Sequence, residues 1–383
     1  MPETSESIQR VQKPLFHREL FIIAYARSGD VFITCKNNDR NYFIGANEYR
    51  LLEQCDGTKT IKELTALQSR YDENDICQFV IFTHSLGLLG EPPPRRFDVT
   101  SLKLPLFNPS RLIKCGSKPS IFIKNTLFAL CILSLLFCGY ALLAHSDTLF
   151  GLTAELNLFR WQNLIRFLVS YVILAFFHES AHALVLMGYG LPVVRVGVML
   201  NFFTPACYTD VAGVRRLRNR GQRITVWLAG VMAQTIILGI TIAVLIFCPL
   251  SEALYDNVGF FLLANAVTIV MNLFFVIRLD GYHILCELFE DESLRDTADA
   301  YMAHPFRAEH VQLQNDHKLA YTAVSLLTRL FLPIFALTIS TNAIIALFEN
   351  YNSIIYTVFP VMVCINIPII IIRRILRRRR AAR

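Results

Sequence analysis

The sequence predicts a mainly α fold: a polytopic helical membrane protein with about six transmembrane helices and a small N-terminal α+β winged-helix-like cytoplasmic domain. Three observations carry this prediction. Hydrophobic residues fill 54% of the 383 positions and mean hydropathy is +0.43, above what a soluble globular chain shows. Six runs are apolar over about 20 residues, the length a helix needs to cross a hydrocarbon core of roughly 30 Å. The segment before Pro92-Pro93-Pro94 has instead the short mixed periods of a water-soluble fold.

Residues 1–18 read as a polar tail. Met1 to Arg10 has no apolar stretch of the kind a signal peptide carries, so a cytoplasmic start without cleavage is expected. Residues 19–95 form the winged-helix-like domain. Leu20–Ala26 and Val31–Cys35 are strand-like and flank the turn Ser28-Gly29-Asp30, and Asn41–Ile44 adds a third short strand. Helical periods follow at Ala46–Gln54, Thr60–Tyr71 and Asn74–Leu89, with Thr60 and Glu63 at capping-box spacing. Residues 96–118 read as a Pro/basic linker, 119–373 as the transmembrane core and 374–383 as a basic tail.

The six candidate spans are 121–143, 165–187, 224–247, 258–278, 325–348 and 354–373. Loop charge orients them. The stretch 188–223 holds Arg195, Arg215, Arg216, Arg218, Arg220 and Arg223, and the C-terminal tail is mostly Arg, whereas 249–257 holds Glu252 and Asp256 with no Lys or Arg. Positive charge stays inside, so both termini are expected in the cytoplasm of a multi-pass protein of the cell inner membrane. The net charge of +7 sits in short blocks beside apolar runs, which argues against nucleic acid as a partner and for the lipid bilayer. The ten cysteines include no CxxC pair, and Cys131, Cys138, Cys248 and Cys364 lie in apolar runs, so none is read as a ligand or a disulfide.

Chemistry enters at Phe176-Phe177-His178-Glu179-Ser180-Ala181-His182, with no charged residue between Arg166 and His178. An ionisable group in the bilayer core costs roughly 2.5 kcal/mol or more, so three within five residues need a partner or a function. On a helix His178 and His182 stand one turn apart on one face. Both imidazoles can then reach one metal ion while Glu179 takes a proton from metal-bound water, the layout of a zinc peptidase. Zinc in such sites takes three protein ligands and keeps an open water position, so a carboxylate is missing. The second and fourth spans both run outside to inside, and the fourth ends in Arg278-Leu279-Asp280-Gly281-Tyr282-His283, which brings Asp280 to matching depth. Asp280-Gly281 by itself reads sooner as a turn at a helix end, a preference that the shared depth reverses.

With HExxH and a spaced LDG, residues 165–295 resemble the site-2 protease family of intramembrane zinc metallopeptidases, closest to the branch described as peptide zinc metalloproteases. Pro205-Ala206-Cys207-Tyr208-Thr209-Asp210, Leu228-Ala229-Gly230 and an Asn eight residues before the LDG Asp add to the likeness. The resemblance implies that His178, His182 and Asp280 are metal ligands, Glu179 is the general base, and Asn272 positions the substrate backbone. The chain departs from the family pattern at Val231, where Pro is usual, at Gln234, where Asn often stands, and at Phe274-Phe275, where Pro commonly precedes LDG. His283 is also unusual there, as a helper of the metal or a residue simply facing water.

The N-terminal segment resembles the domains that recognise leader peptides of ribosomally made, modified peptides, through Glu48-Tyr49-Arg50-Leu51-Leu52, Asp56-Gly57-Thr58-Lys59-Thr60-Ile61 and Leu86-Gly87-Leu88-Leu89. Such domains take an extended peptide as an added strand. The expected function is therefore a membrane-embedded zinc metalloendopeptidase cleaving a peptide or protein, such as the leader of a modified peptide or bacteriocin. Two rivals stand beside it: a regulatory intramembrane protease acting on a membrane-bound regulator, and a non-catalytic peptide-binding export or immunity component. The acidic stretch Glu287 to Asp299 reads as a solvated helix on the membrane surface, His304, His310 and His317 lack ligand spacing, and Arg329 snorkels from its span.

Overall fold

A computed structural model describes residues 13–36, 40–67, 71–90, 101–149, 161–201, 204–276, 278–292, 294–303 and 318–326. Two compact units emerge, one from residues within 1–125, 183–201 and 208–217, the other from residues within 126–182, 202–207 and 218–383.

In the first unit, β1 (Phe21–Tyr25), β2 (Val31–Cys35) and β3 (Asn41–Ile44) form an antiparallel sheet in that order, paired Phe21↔Cys35 through Tyr25↔Val31 and Val31↔Ile44 through Thr34↔Asn41. Three helices follow: α1 (Ala46–Gln54), α2 (Ile61–Ala66) and α3 (Glu73–Ser85). The Thr60 side chain accepts from the Glu63 N–H while Glu63 accepts from the Thr60 N–H, closing the expected capping box. A second such box, Asp72 with Asp75, starts α3. It explains why α2 stops at Ala66 short of the expected Tyr71, since an N-cap needs extended backbone before the next helix. Ile33, Leu52, Leu64, Ile76, Val80 and Leu88 are wholly buried between sheet and helices.

Two boundaries shift. Leu15 bridges to Asp56, and Phe16 is buried and stacks on Phe21, so the end of the polar tail belongs to the core. Within the stretch read as a linker, β4 (Ser101–Phe107) pairs antiparallel with β5 (Val196–Asn201), and the short helix α4 (Pro109–Leu112) is capped by Asn108. Leu102, Leu104 and Leu106 alternate with Lys103 and Pro105 there, a strand period whose partner lies far along the chain.

Among the described residues four helices are long and apolar enough to cross a membrane: α5 (Lys118–Ala144), α6 (Trp161–Gly188, its apolar part from Ile165), α7 (Arg220–Phe247) and α8 (Glu252–Leu273). A further strand, β6 (Thr204–Thr209), lies between α6 and α7. Asn219 caps α7 by accepting from the Gly221 N–H at 2.7 Å, and the helix ends at Phe247 because Cys248, just before Pro249, is held extended. The two remaining expected spans, 325–348 and 354–373, fall outside the described residues apart from the helical 325–326, and so do His304, His310, His317 and Arg329. Of these four helices α7 is the most deeply buried and α5 the least. Small side chains let these helices approach: a Cβ on Gly239 would press on Ser134 of α5 at 3.1 Å.

The fourth span is displaced from its expected range. It begins at Glu252 behind Ser251 and ends at Leu273, where Phe274 turns extended. Asp280 therefore opens a new helix, α9 (Asp280–Phe289), instead of closing the span. A left-handed Glu290 ends α9, and α10 (Leu294–Ala303) follows. The acidic stretch is thus two helices, and it is not wholly solvated: Glu287 pairs with Arg223 at 2.6 Å, and Asp291 pairs with Lys318 at 3.0 Å with both side chains largely covered. Leu294 and Ala298 of this stretch are buried in a cluster with Tyr282, Cys286 and Tyr321.

Candidate metal centre

Two helices supply the ligands of the site and a third, α7, supplies the partners of the imidazoles, with all of these residues in the second unit. His178 and His182 lie one turn apart on α6, both buried, and Asp280 is the first residue of α9. Asp280 Oδ2 stands 2.9 Å from His178 Nε2 and 3.2 Å from His182 Nε2, and the two Nε2 atoms are 3.1 Å apart. Asp280 and His182 thus meet across nearly one hundred residues of chain (98) because α9 is tied to the start of α7. Arg223 reaches Glu287, and Arg220 reaches Glu290 and the Leu288 carbonyl.

The outer nitrogens decide what the inner ones carry. His182 Nδ1 lies 2.7 Å from the Val226 carbonyl oxygen, which can only accept, so Nδ1 bears the proton. His178 Nδ1 lies 3.0 Å from Gln234 Oε1 and donates to it. Both Nε2 atoms then present lone pairs to the same point as the Asp280 carboxylate. Its Oδ2 is a buried acceptor with no hydrogen bond among the described residues. Three converging acceptors with no proton between them are costly by themselves and suited to a cation. This donor set fits a metal ion, and His178, His182 and Asp280 are the group of described residues placed to hold one.

Two glycines make the approach possible. A Cβ on Gly230 of α7 would fall inside the His178 ring, and one on Gly281 would collide with the Leu273 carbonyl at the end of α8. The first lets α7 lie against the imidazole. The second lets α9 fold back under α8 so that Asp280 reaches the histidines.

Glu179 follows His178 directly and is half-buried, within electrostatic range of His182. His283 is not among the converging ligands: its ring stacks on Trp227 at 4.3 Å between centroids. Asn272 sits half-buried in the last turn of α8, with no side-chain hydrogen bond to another described residue. Residues not foreseen as part of the centre surround His178. Gln234, noted only as a departure from a family pattern, is buried and binds the imidazole, and its Nε2 donates to Thr268 Oγ1 at 2.7 Å. Asn265, also buried, donates to the Gln234 backbone carbonyl at 2.9 Å. The available signal was their polarity inside apolar spans, where an amide or hydroxyl side chain needs a partner.

Compared with protein-family models, with curated proteins and with solved structures, the chain finds no match in any of the three.

Proposed function

We propose that this protein is a membrane-embedded zinc metalloendopeptidase of the site-2 protease type. The observation that carries the reading is the triangle of His178 Nε2, His182 Nε2 and Asp280 Oδ2, with sides of 2.9, 3.1 and 3.2 Å and Glu179 adjoining it in sequence. Ligands at about 2.0–2.1 Å from a tetrahedral zinc ion lie roughly 3.3 Å apart, so the triangle is close to one face of such a site and leaves the fourth position open. Two imidazoles with one carboxylate are also a donor set that zinc uses in hydrolysis.

When bound, zinc lowers the pKa of water at its open position and polarises the scissile carbonyl. The protein's own residues supply the rest. His178 and His182 offer neutral Nε2 atoms because their Nδ1 protons are already committed to Gln234 and Val226. Asp280 contributes the single negative charge of the ligand set. Glu179 takes the proton of the attacking water and hands it to the leaving amine.

The substrate in this reading is a peptide bond able to reach a site within apolar spans, in the cytoplasmic half of the inner membrane, with both termini inside. The arginines of 212–223 and of the C-terminal tail support that orientation. The N-terminal domain serves as a recognition module for an extended peptide, such as a leader sequence. What supports it is a three-stranded sheet whose outer strands, β1 and β3, each have an edge beyond which no described strand of that sheet lies. Tethering the substrate raises its concentration near the zinc without a new contact at the active site.

The deciding experiment is cleavage of a candidate precursor peptide by purified protein in nanodiscs, wild type against Glu179→Gln. The amide keeps the shape and cannot accept the proton, so metal is retained and turnover falls by about 10²–10⁴-fold. A Glu179→Gln protein that cleaves as fast as wild type removes Glu179 from the reaction.

A further inference from the structure

The two imidazoles of the centre are held by different means. His182 is oriented by a backbone carbonyl, whereas His178 is oriented by a side-chain amide that has two ways to point. We propose that Thr268 of α8 is a positioning residue, which, through Gln234 of α7, locks His178 of α6 into the one tautomer that can bind metal. This rests on the metal-site reading above.

The direction of each hydrogen bond follows from what its atoms can do. Thr268 Oγ1 lies 2.9 Å from the Ala264 carbonyl and 3.0 Å from that of Asn265. Carbonyls only accept, so the single hydroxyl proton is spent there, and Oγ1 is left to accept. It lies 2.7 Å from the Gln234 amide nitrogen, which donates. The Gln234 oxygen must then face His178 Nδ1, at 3.0 Å, and Nδ1 must donate. The proton is thereby kept off Nε2, the atom aimed at His182 Nε2 and Asp280 Oδ2. Among the described residues no other hydrogen bond fixes the amide. Asn265 binds the Gln234 backbone, which pins the residue in place and leaves its side chain free to rotate end for end.

Without the Thr268 hydroxyl the amide can turn its NH2 toward Nδ1. That stabilises the other tautomer, with the proton on Nε2, where it blocks the metal. The relay also spans three membrane helices, so the ligand state of α6 is set by a residue of α8 that touches neither metal nor substrate. It gives a physical role to Gln234, where the family pattern often has the shorter Asn.

The test is zinc affinity of the purified full-length protein in detergent, measured by competition with a fluorescent chelator for wild type, Thr268→Val and Thr268→Ser. Valine matches threonine in shape and lacks the hydroxyl, and serine restores it. Outer partners of metal-bound histidines are typically worth about 10–100-fold in affinity, the loss expected for Thr268→Val, while Thr268→Ser stays within a few-fold of wild type. Gln234→Leu, which removes the amide altogether, should lose at least as much as the valine variant. A valine variant that binds zinc like wild type overturns the proposal alone. A serine variant that loses as much as valine also overturns it, because the defect is then one of packing. Wild-type protein that binds no zinc overturns the metal reading, and this proposal with it.

Discussion

In the N-terminal domain the fully buried side chains are mostly aliphatic, among them Ile33, Leu52, Leu64, Ile76, Val80 and Leu88 with Thr34 as a polar exception, whereas in α6, α7 and α8 the buried set includes His178, His182, Gln234 and Asn265. The large apolar residues of the spans often point outward, among them Leu133, Leu136, Leu143 and Val270. The difference lies in the solvent each region folds against. Water expels apolar surface, at about 25 cal/mol per Å², so the small domain is built by burying aliphatic groups. Lipid does not distinguish a leucine on the surface from one inside, so helices in a membrane associate through close backbone approach and hydrogen bonds between polar side chains. A polar cluster that would be a defect in the first region is the organising feature of the second.

The largest test of this contrast removes the polar cluster. A His178→Ala, His182→Ala double variant should lose all bound metal by elemental analysis of purified protein, and wild-type metal content would break the assignment. Next comes the same truncation made in both regions. Leu52→Ala, in the domain core, should cost about 2–5 kcal/mol, seen as faster hydrogen exchange across residues 13–90, while Leu136→Ala, exposed on α5, should change unfolding in detergent by less than about 1 kcal/mol. Equal effects would mean that α5 is packed against protein on that face.

Glycine gives a finer comparison. Gly230→Ala drives a methyl group into the His178 ring and should destabilise by about 1–3 kcal/mol with a loss of metal affinity, whereas Gly139→Ala, whose Cβ meets nothing within 4 Å, should be neutral on both measures. Thr60→Ala removes the capping box of α2 and should cost about 1 kcal/mol, read as local exchange at the start of that helix.

The smallest effect is a pH slope. Burial pushes the Asp210 carboxyl above its ordinary value, although Asn41 donates to both of its oxygens at 2.9 and 3.0 Å. The folded state then holds this proton more tightly than the unfolded state. Stability from this group is highest below pH 3.8, the ordinary value, and falls as pH rises through 3.8 toward the raised folded value, above which the full cost remains. Melting profiles of wild type and Asp210→Asn between pH 3.5 and about 6 should diverge with that sign, and parallel profiles would show that Asp210 titrates normally.

Much was readable along the chain wherever the cause is local. Strand and helix periods placed the three strands and three helices of the N-terminal domain within a few residues, and Thr60 with Glu63 announced its cap. The pairing of β4 with β5 was not readable, because the alternation in Leu102 to Leu106 becomes a strand only when a partner some ninety residues later, Val196–Asn201, supplies its hydrogen bonds.

The candidate centre divides in the same way. By itself the sequence determined that His178, Glu179 and His182 share one turn of an apolar helix, since a helical period fixes which residues lie on one face. It also singled out Asp280 by charge and depth. Only the tertiary structure decided that Asp280 heads a new helix, that Gly230 and Gly281 are the points of close approach, and that Gln234 lies between His178 and Thr268. The physical reason is that a tautomer is set by the partner across the helix interface. That partner is known only once α6, α7 and α8 are packed together.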